Sequence, residues 1–150
     1  MKLFIVLVLV LLAISFTEGR KIEFHFKSLN DGSFEAVTCQ VGDQIEVHLA
    51  ENPTTGFMWL IPEEKEGFNS IWSLVESSFE KAPKGGKKVG VGGMRTFLLS
   101  CDYAGSEHLT LVYGRPQLYD RAMKEWKEVG TFDALTMGGK AVQLKITSIR

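Results

Sequence analysis

Apolar and polar residues alternate along most of this chain, and that alternation leaves few folds open. Ile22, Phe24 and Phe26 are separated by Glu23, His25 and Lys27. Val37, Cys39 and Val41 share one face of the segment 34–41, and Ile45, Val47 and Leu49 share one face of the next. Phe97, Leu99 and Cys101 repeat the pattern, as do Leu109, Leu111 and Tyr113, and Val142, Leu144, Ile146 and Ile149 supply a last strand. A period of two marks strands with one buried face. Asn30-Asp31-Gly32, Gly42-Asp43, Asp102-Tyr103-Ala104-Gly105 and Gly114-Arg115-Pro116 punctuate them with residues suited to tight reversals. Residues 57–61, Phe-Met-Trp-Leu-Ile, are apolar on both faces, as in a strand at the centre of a packed sheet or one flanked by a binding surface. Residues 70–79 are ambiguous between strand and helix, and their Trp, Val and Phe favour strand. Residues 63–69 and 81–93 read as loops, and 121–129 have no clear assignment. There is no internal repeat, heptad or long helix. Seven to eight short strands predict an all-β sandwich with Greek-key connections.

The N-terminus stands apart. Met1-Lys2 is followed by an almost wholly apolar run over 3–14, and Thr17 and Gly19 place small residues at the spacing of a signal-peptidase site. Residues 1–19 are therefore expected to be a signal peptide and residues 20–150 the mature domain; a retained signal anchor is the alternative. Removing 19 residues from 150 leaves 131, enough for one domain with a real core. The net charge of −1 is unchanged, because Lys2 and Glu18 leave together. Lys84, Lys87 and Lys88 cluster, but no basic stripe dominates, which argues against nucleic acid and gives no reason to invoke a membrane after signal removal. The secretory route permits a disulfide between Cys39 and Cys101, and two buried thiols are the other reading. Asn52-Pro53-Thr54 is not a glycosylation sequon, because Pro holds the middle position.

Catalytic chemistry is sought without result. His25, His48 and His108 fall on solvent faces of separate strands, with nothing to bring them together as metal ligands. The carboxylates are scattered. The glycines of 85–93 resemble a phosphate cradle, but no Gly-Lys-Ser/Thr opens a helix after them. The expectation is a protein that is not an enzyme and needs no cofactor or metal.

Three loops carry the unusual residues. The first is Asn52-Pro53-Thr54-Thr55-Gly56-Phe57, stiffened by Pro and freed at Gly. The second contains Gly90-Val91-Gly92-Gly93, a run of nearly bare backbone, and the third is Arg115-Pro116-Gln117. Two strands separate each from the next, so a Greek-key sandwich gathers them at one end, the end antibody domains use for binding.

In order, spacing and content these motifs resemble the chagasin family of cysteine peptidase inhibitors. The resemblance runs from about Phe34 to Arg115 and resumes in the last strand. It implies an immunoglobulin-like β-sandwich, monomeric when free, that inhibits papain-type, cathepsin L-like peptidases reversibly and tightly. It also implies roles. Thr54 and Thr55 would lie over the catalytic cysteine, Gly90, Gly92 and Gly93 along the non-primed wall, and Arg115-Pro116 on the primed side. Two departures stand out. The family has an aromatic after Arg-Pro where this chain has Gln117, so either Tyr119 replaces it or binding leans on the other two loops. The stretch 118–139 is also longer than the family's return, with Trp126 and Phe132 to cover the core, add a hairpin or extend the contact. The implied location is the secretory pathway, either secreted or in an endolysosomal lumen. The alternative function is a non-inhibitory immunoglobulin-like binding or adhesion module.

Overall fold

The computed structural model describes residues 19–62, 70–83, 92–122, 124 and 139–150. Its strands are β1 (Lys21–His25), β2 (Phe34–Gln40), β3 (Gln44–Glu51), β4 (Met58–Leu60), β5 (Trp72–Lys81), β6 (Gly93–Cys101), β7 (Gly105–Gly114) and β8 (Lys140–Ile149). They form two four-stranded sheets, ordered β1-β3-β6-β5 and β2-β8-β7-β4. The sandwich expected from the alternation is present. Ile45, Val47 and Leu49 of β3 and Phe97 and Leu99 of β6 meet Leu109, Leu111, Val142, Leu144 and Ile146 from the other sheet, all buried. Each such side chain contributes about 1.5–3 kcal/mol by leaving water.

The reversals after β1 and β2 close no hairpins. They carry the chain from one sheet to the other. β1 then pairs parallel with β3, and β2 parallel with β8. Gly32 and Gly42 sit in these reversals at φ 75° and 93°, a region that favours glycine.

Several strand details differ from the alternation. Val41, expected on the core face with Cys39, lies beyond the end of β2 and is exposed; the turn has claimed it, and its N–H donates to Ile149 O at 2.9 Å. Ile149 falls out of phase with Val142, Leu144 and Ile146 and is exposed. Residues 57–61 do not supply a central strand, because β4 is an edge of its sheet. It is apolar on both faces for another reason. Trp59 points into the core, while Leu60 and Val112 are covered from outside by Leu118, Tyr119 and Ala122. The stretch 70–79 does supply a strand, from Trp72 onward, but its alternation breaks where an extra residue is inserted between Leu74 and Glu76. Such a bulge reverses the side-chain phase, and both Leu74 and Val75 are exposed on this edge strand. The loop expected over 81–93 is shorter at both ends, since Lys81 and Gly93 pair in β5 and β6.

Cys39 and Cys101 form a disulfide. It joins β2 to β6, and so one sheet to the other, at the pole where β3 begins.

Candidate functional site

At the opposite pole β3 ends, β6 begins and β7 ends. Glu51 pairs with Gly93, and Met58 at the start of β4 pairs with Gly114 at the end of β7. The described ends of the three unusual loops therefore meet on one rim.

The first loop is a single 3₁₀ turn, Pro53–Thr55. Pro53 occupies its first position, where a missing N–H costs nothing. Asn52 caps it: its Oδ1 accepts from Thr54 N at 3.3 Å and from Thr54 Oγ1 at 2.7 Å. Thr55 Oγ1 donates to Asn52 O at 2.7 Å and accepts from Phe57 N at 3.4 Å. Gly56 ends the turn at φ 77°, its N–H donating to Pro53 O at 3.0 Å. Both threonine hydroxyl protons are thus spent inside the loop. Residues 53–56 stand exposed as an uncharged tip whose shape is set before any partner arrives.

Beneath this tip lies a pair of residues that the sequence reading missed. Glu51, its side chain fully buried, receives Arg95 Nη2 at 2.7 Å and Nε at 3.2 Å. Its Oε2 also accepts the N–H of Trp59 at 2.7 Å. One carboxylate therefore ties β3 to β6 and to β4, closing both sides of residues 52–58. Trp59 Nε1 adds a bond to Ala50 O at 2.9 Å. The signal was available in the alternation. Glu51 continues the inward phase of Ile45, Val47 and Leu49, and Arg95 begins that of Phe97, Leu99 and Cys101. Opposite charges on two inward phases at one end mark a buried ion pair.

The flanking loops are joined to the tip by aromatic contacts. Asn52 N donates to Tyr113 OH at 3.3 Å, and Phe57 packs on Tyr113 with ring centroids 5.6 Å apart. The Arg115 guanidinium lies 5.0 Å over the Phe57 ring. This favourable cation–π geometry brings the first and third motifs together. Lys140 Nζ stands 5.8 Å from Trp59 and 5.7 Å from Tyr113. On the other side, a Cβ at Gly92 would lie 2.8 Å from Glu51 O, and one at Gly93 would lie 2.1 Å from Glu80 O. Glycine here is demanded by the packing of the protein itself. A cleft of about 710 Å³ opens among these elements, lined by Asn52, Trp59, Gly92, Gly93, Tyr113 and Lys140 among others. Gly90 and Val91, like Lys84, Lys87, Lys88, Trp126 and Phe132, lie outside the described residues.

Pro116–Leu118 form a second 3₁₀ turn, in which Leu118 N donates to Arg115 O at 3.0 Å. Arg115, Pro116 and Gln117 are exposed. Tyr119 is half-buried against β4, its OH donating to Pro62 O at 3.4 Å, so it is engaged in covering Leu60.

The chain matches the model of the chagasin family peptidase inhibitors, I42, over residues 38–133. It belongs to the chagasin family. It is 36% identical over 81 residues to chagasin of Trypanosoma cruzi, which spans 53% of this chain and 72% of that relative. The fold is similar to the cysteine protease inhibitor EhICP2 of Entamoeba histolytica, with TM-score 0.58, 21% identity, and coverage of 87% of this chain and 96% of that one. It is also similar to PbICP-C, solved in complex with falcipain-2, with TM-score 0.52, 16% identity, and coverage of 85% and 98%. Membership makes the chain a peptidase inhibitor and not an enzyme. Against this family the residue after Arg115-Pro116 is a solvent-facing Gln117, and Tyr119 is held away from that position.

The histidines need one correction. Parallel pairing of β1 and β3 sets His25 opposite His48, and their rings stack with centroids 4.6 Å apart. His48 is half-buried, with Nδ1 3.1 Å from Thr96 Oγ1 and Nε2 3.7 Å from Glu46 Oε2. His108 sits apart on β7 beside Phe34. Among the described residues, no group of three or more His, Cys, Asp or Glu is arranged to hold a metal ion.

Proposed function

We propose that this chain is a reversible, tight-binding inhibitor of papain-type cysteine peptidases, cathepsin L-like enzymes among them, and that its three loops occlude the active-site cleft. Family membership supports the class of action. The observation that carries the site is the Pro53–Thr55 turn. A papain-type cleft cleaves a peptide laid out as an extended strand. Residues 53–55 are wound into a 3₁₀ turn, and their hydroxyls are committed to Asn52. The tip enters as a plug with no extended scissile segment. Gly92 and Gly93 anchor the glycine loop on one flank, Gly93 already paired with Glu51 and Lys81 inside the sheet, so strand-like hydrogen bonding to the enzyme falls to the loop ahead of them. The Phe57–Arg115 stack and Gln117 form the other flank. Residues 1–19 act as a removed signal peptide, so the inhibitor works in the secretory pathway, either released or in an endolysosomal lumen.

The test is a titration of residues 20–150 against a papain-type endopeptidase turning over a fluorogenic peptide, with a serine peptidase as control. Stoichiometric, competitive loss of the cysteine-peptidase activity alone is expected. Thr54→Arg with Thr55→Glu abolishes it while the melting curve stays that of a folded domain. Unchanged inhibition by that variant refutes the central-loop assignment. No inhibition of several such enzymes moves the reading to a binding or adhesion module.

A further inference from the structure

Asp43, at the far end of β3 from Glu51, is an acid on the inward phase whose purpose the loops do not explain. Its side chain is only 4% exposed. Oδ2 accepts from Gln40 N at 2.8 Å and from Arg20 Nη2 at 2.9 Å, and Oδ1 accepts from the backbone N of Arg20 at 2.9 Å. Arg20 O in turn accepts from Gln44 N at 2.8 Å. Residue 20 is thus gripped by its nitrogen, its carbonyl and its side chain. Among the described residues, the cation paired with this buried carboxylate is a guanidinium that is itself 65% exposed. Immediately upstream, the chain passes so close to the β2–β3 turn that a Cβ at Gly19 would stand 1.6 Å from Gly42 O. The residue whose smallness suits a signal peptidase is also one that only glycine fits.

We propose that Asp43 is the acceptor site for the N-terminal ammonium of Arg20, created when the Gly19–Arg20 peptide bond is hydrolysed. Water adds across that bond: Gly19 leaves with the leader as a carboxylate, and the Arg20 nitrogen gains protons to become an ammonium. A neutral amide hydrogen bond at Oδ1 becomes an ion pair without any atom of the fold having to move. Charge-assisted bonds are roughly twice as strong as neutral ones. Processing therefore tightens the pole at which β1, β2 and β3 converge and where the Cys39–Cys101 disulfide lies. The inference rests on the signal-peptide reading and is independent of which peptidase the loops engage.

The decisive comparison is between residues 20–150 and the same chain begun one residue earlier, at Gly19, which turns the Arg20 nitrogen back into an amide. The extended form is expected to melt about 4 °C lower at pH 6. In the Asp43→Asn background the two forms should melt together. Equal melting of the two forms with Asp43 present overturns the proposal, as does the same difference in both backgrounds. Should Asp43→Asn fail to fold, acylation of the Arg20 amine is measured in the wild type by peptide mass. It should be at least tenfold slower than in an unstructured peptide with the same N-terminal sequence, and equal rates overturn the pairing. N-terminal sequencing of the full chain secreted from a eukaryotic host tests the processing step separately. Arg20 as first residue is expected, and any other overturns it. Peptidase inhibition is expected to be identical in the two forms, so failure of the inhibitor reading is distinguishable from failure of this one.

Discussion

Replacing Glu51 by Gln tests whether the tip is held from below or by its own hydrogen bonds. Gln is nearly isosteric and keeps one acceptor for the Trp59 N–H, but it loses the charge and turns an NH₂ donor toward Arg95. Removing one partner of a buried pair costs about 3–5 kcal/mol. Arg95 is 13% exposed and retains a long contact to Ser77 Oγ at 3.5 Å and the Phe79 ring at 5.4 Å, so the low end of that range applies. For a domain of this size, about 3 kcal/mol lowers Tm by roughly 10 °C. The domain survives this, since folded domains typically hold about 5–15 kcal/mol. The tip then binds less well, because part of its ordering must occur on docking. Each residue so released costs about 1–2 kcal/mol, or roughly tenfold in the inhibition constant. Thermal melting and a tight-binding inhibition assay well below the melt check the two numbers. A Tm within 2 °C of wild type refutes the ion-pair argument. A lowered Tm with an unchanged inhibition constant shows that Asn52, Thr54 and Thr55 hold the loop without help.

Further outcomes follow from other features. Gln117→Trp restores an aromatic on an exposed turn and should tighten inhibition about tenfold without changing Tm, given the weight aromatic anchors carry in interfaces; an unchanged inhibition constant shows that this loop points away from the enzyme. Reducing the Cys39–Cys101 disulfide, which spans 62 residues, should cost about 4 kcal/mol by freeing the unfolded chain, read as a fall in the urea midpoint with and without reductant; a loss under 1 kcal/mol refutes that estimate. The Gln40 N–H, and then the Arg20 guanidinium, hold the Asp43 carboxyl below its usual range. A depressed carboxylate stabilises the fold above its unfolded pKa of about 4, and this stabilisation is lost as pH falls through the folded value. Wild type should therefore melt above Asp43→Asn at pH 5–7, with the gap closing below about pH 4; a constant gap down to pH 2 contradicts the assignment.

How legible each element was depended on which surfaces it buries. β3, β6, β7 and β8 were plain because each has one face against the core, and burial on one side imposes a period of two. β5 was not, because it lies at a sheet edge and carries a bulge after Leu74. β4 misled in the other direction. Its outer face is covered by Leu118, Tyr119 and Ala122 from a segment nearly 60 residues later, so it read as a central strand or one flanked by a binding surface. The site divides likewise. Pro53 and Gly56 announced a stiff tip because their backbone preferences are intrinsic. Glu51 and Arg95 were readable only by noticing charges on an inward phase.

Local chemistry, then, determined by itself that this chain is a β-sandwich and that its tip at Thr54 and Thr55 is small, uncharged and rigid, while the peptidase-inhibitor reading came from the resemblance of its loop motifs to a family. φ restrictions, side-chain volume and hydrophobic period act over a few residues and need no partner. The tertiary structure alone decided the parallel pairing of β1 with β3, the stacking of His25 on His48, the Arg115–Phe57 contact and the two acids that hold β3 at its ends. Those depend on which strands become neighbours, and that choice is made by the burial of the whole core at once. Asp43 and Glu51 look alike in the chain; one came to face Arg20 and the other Arg95 only when the sheets closed.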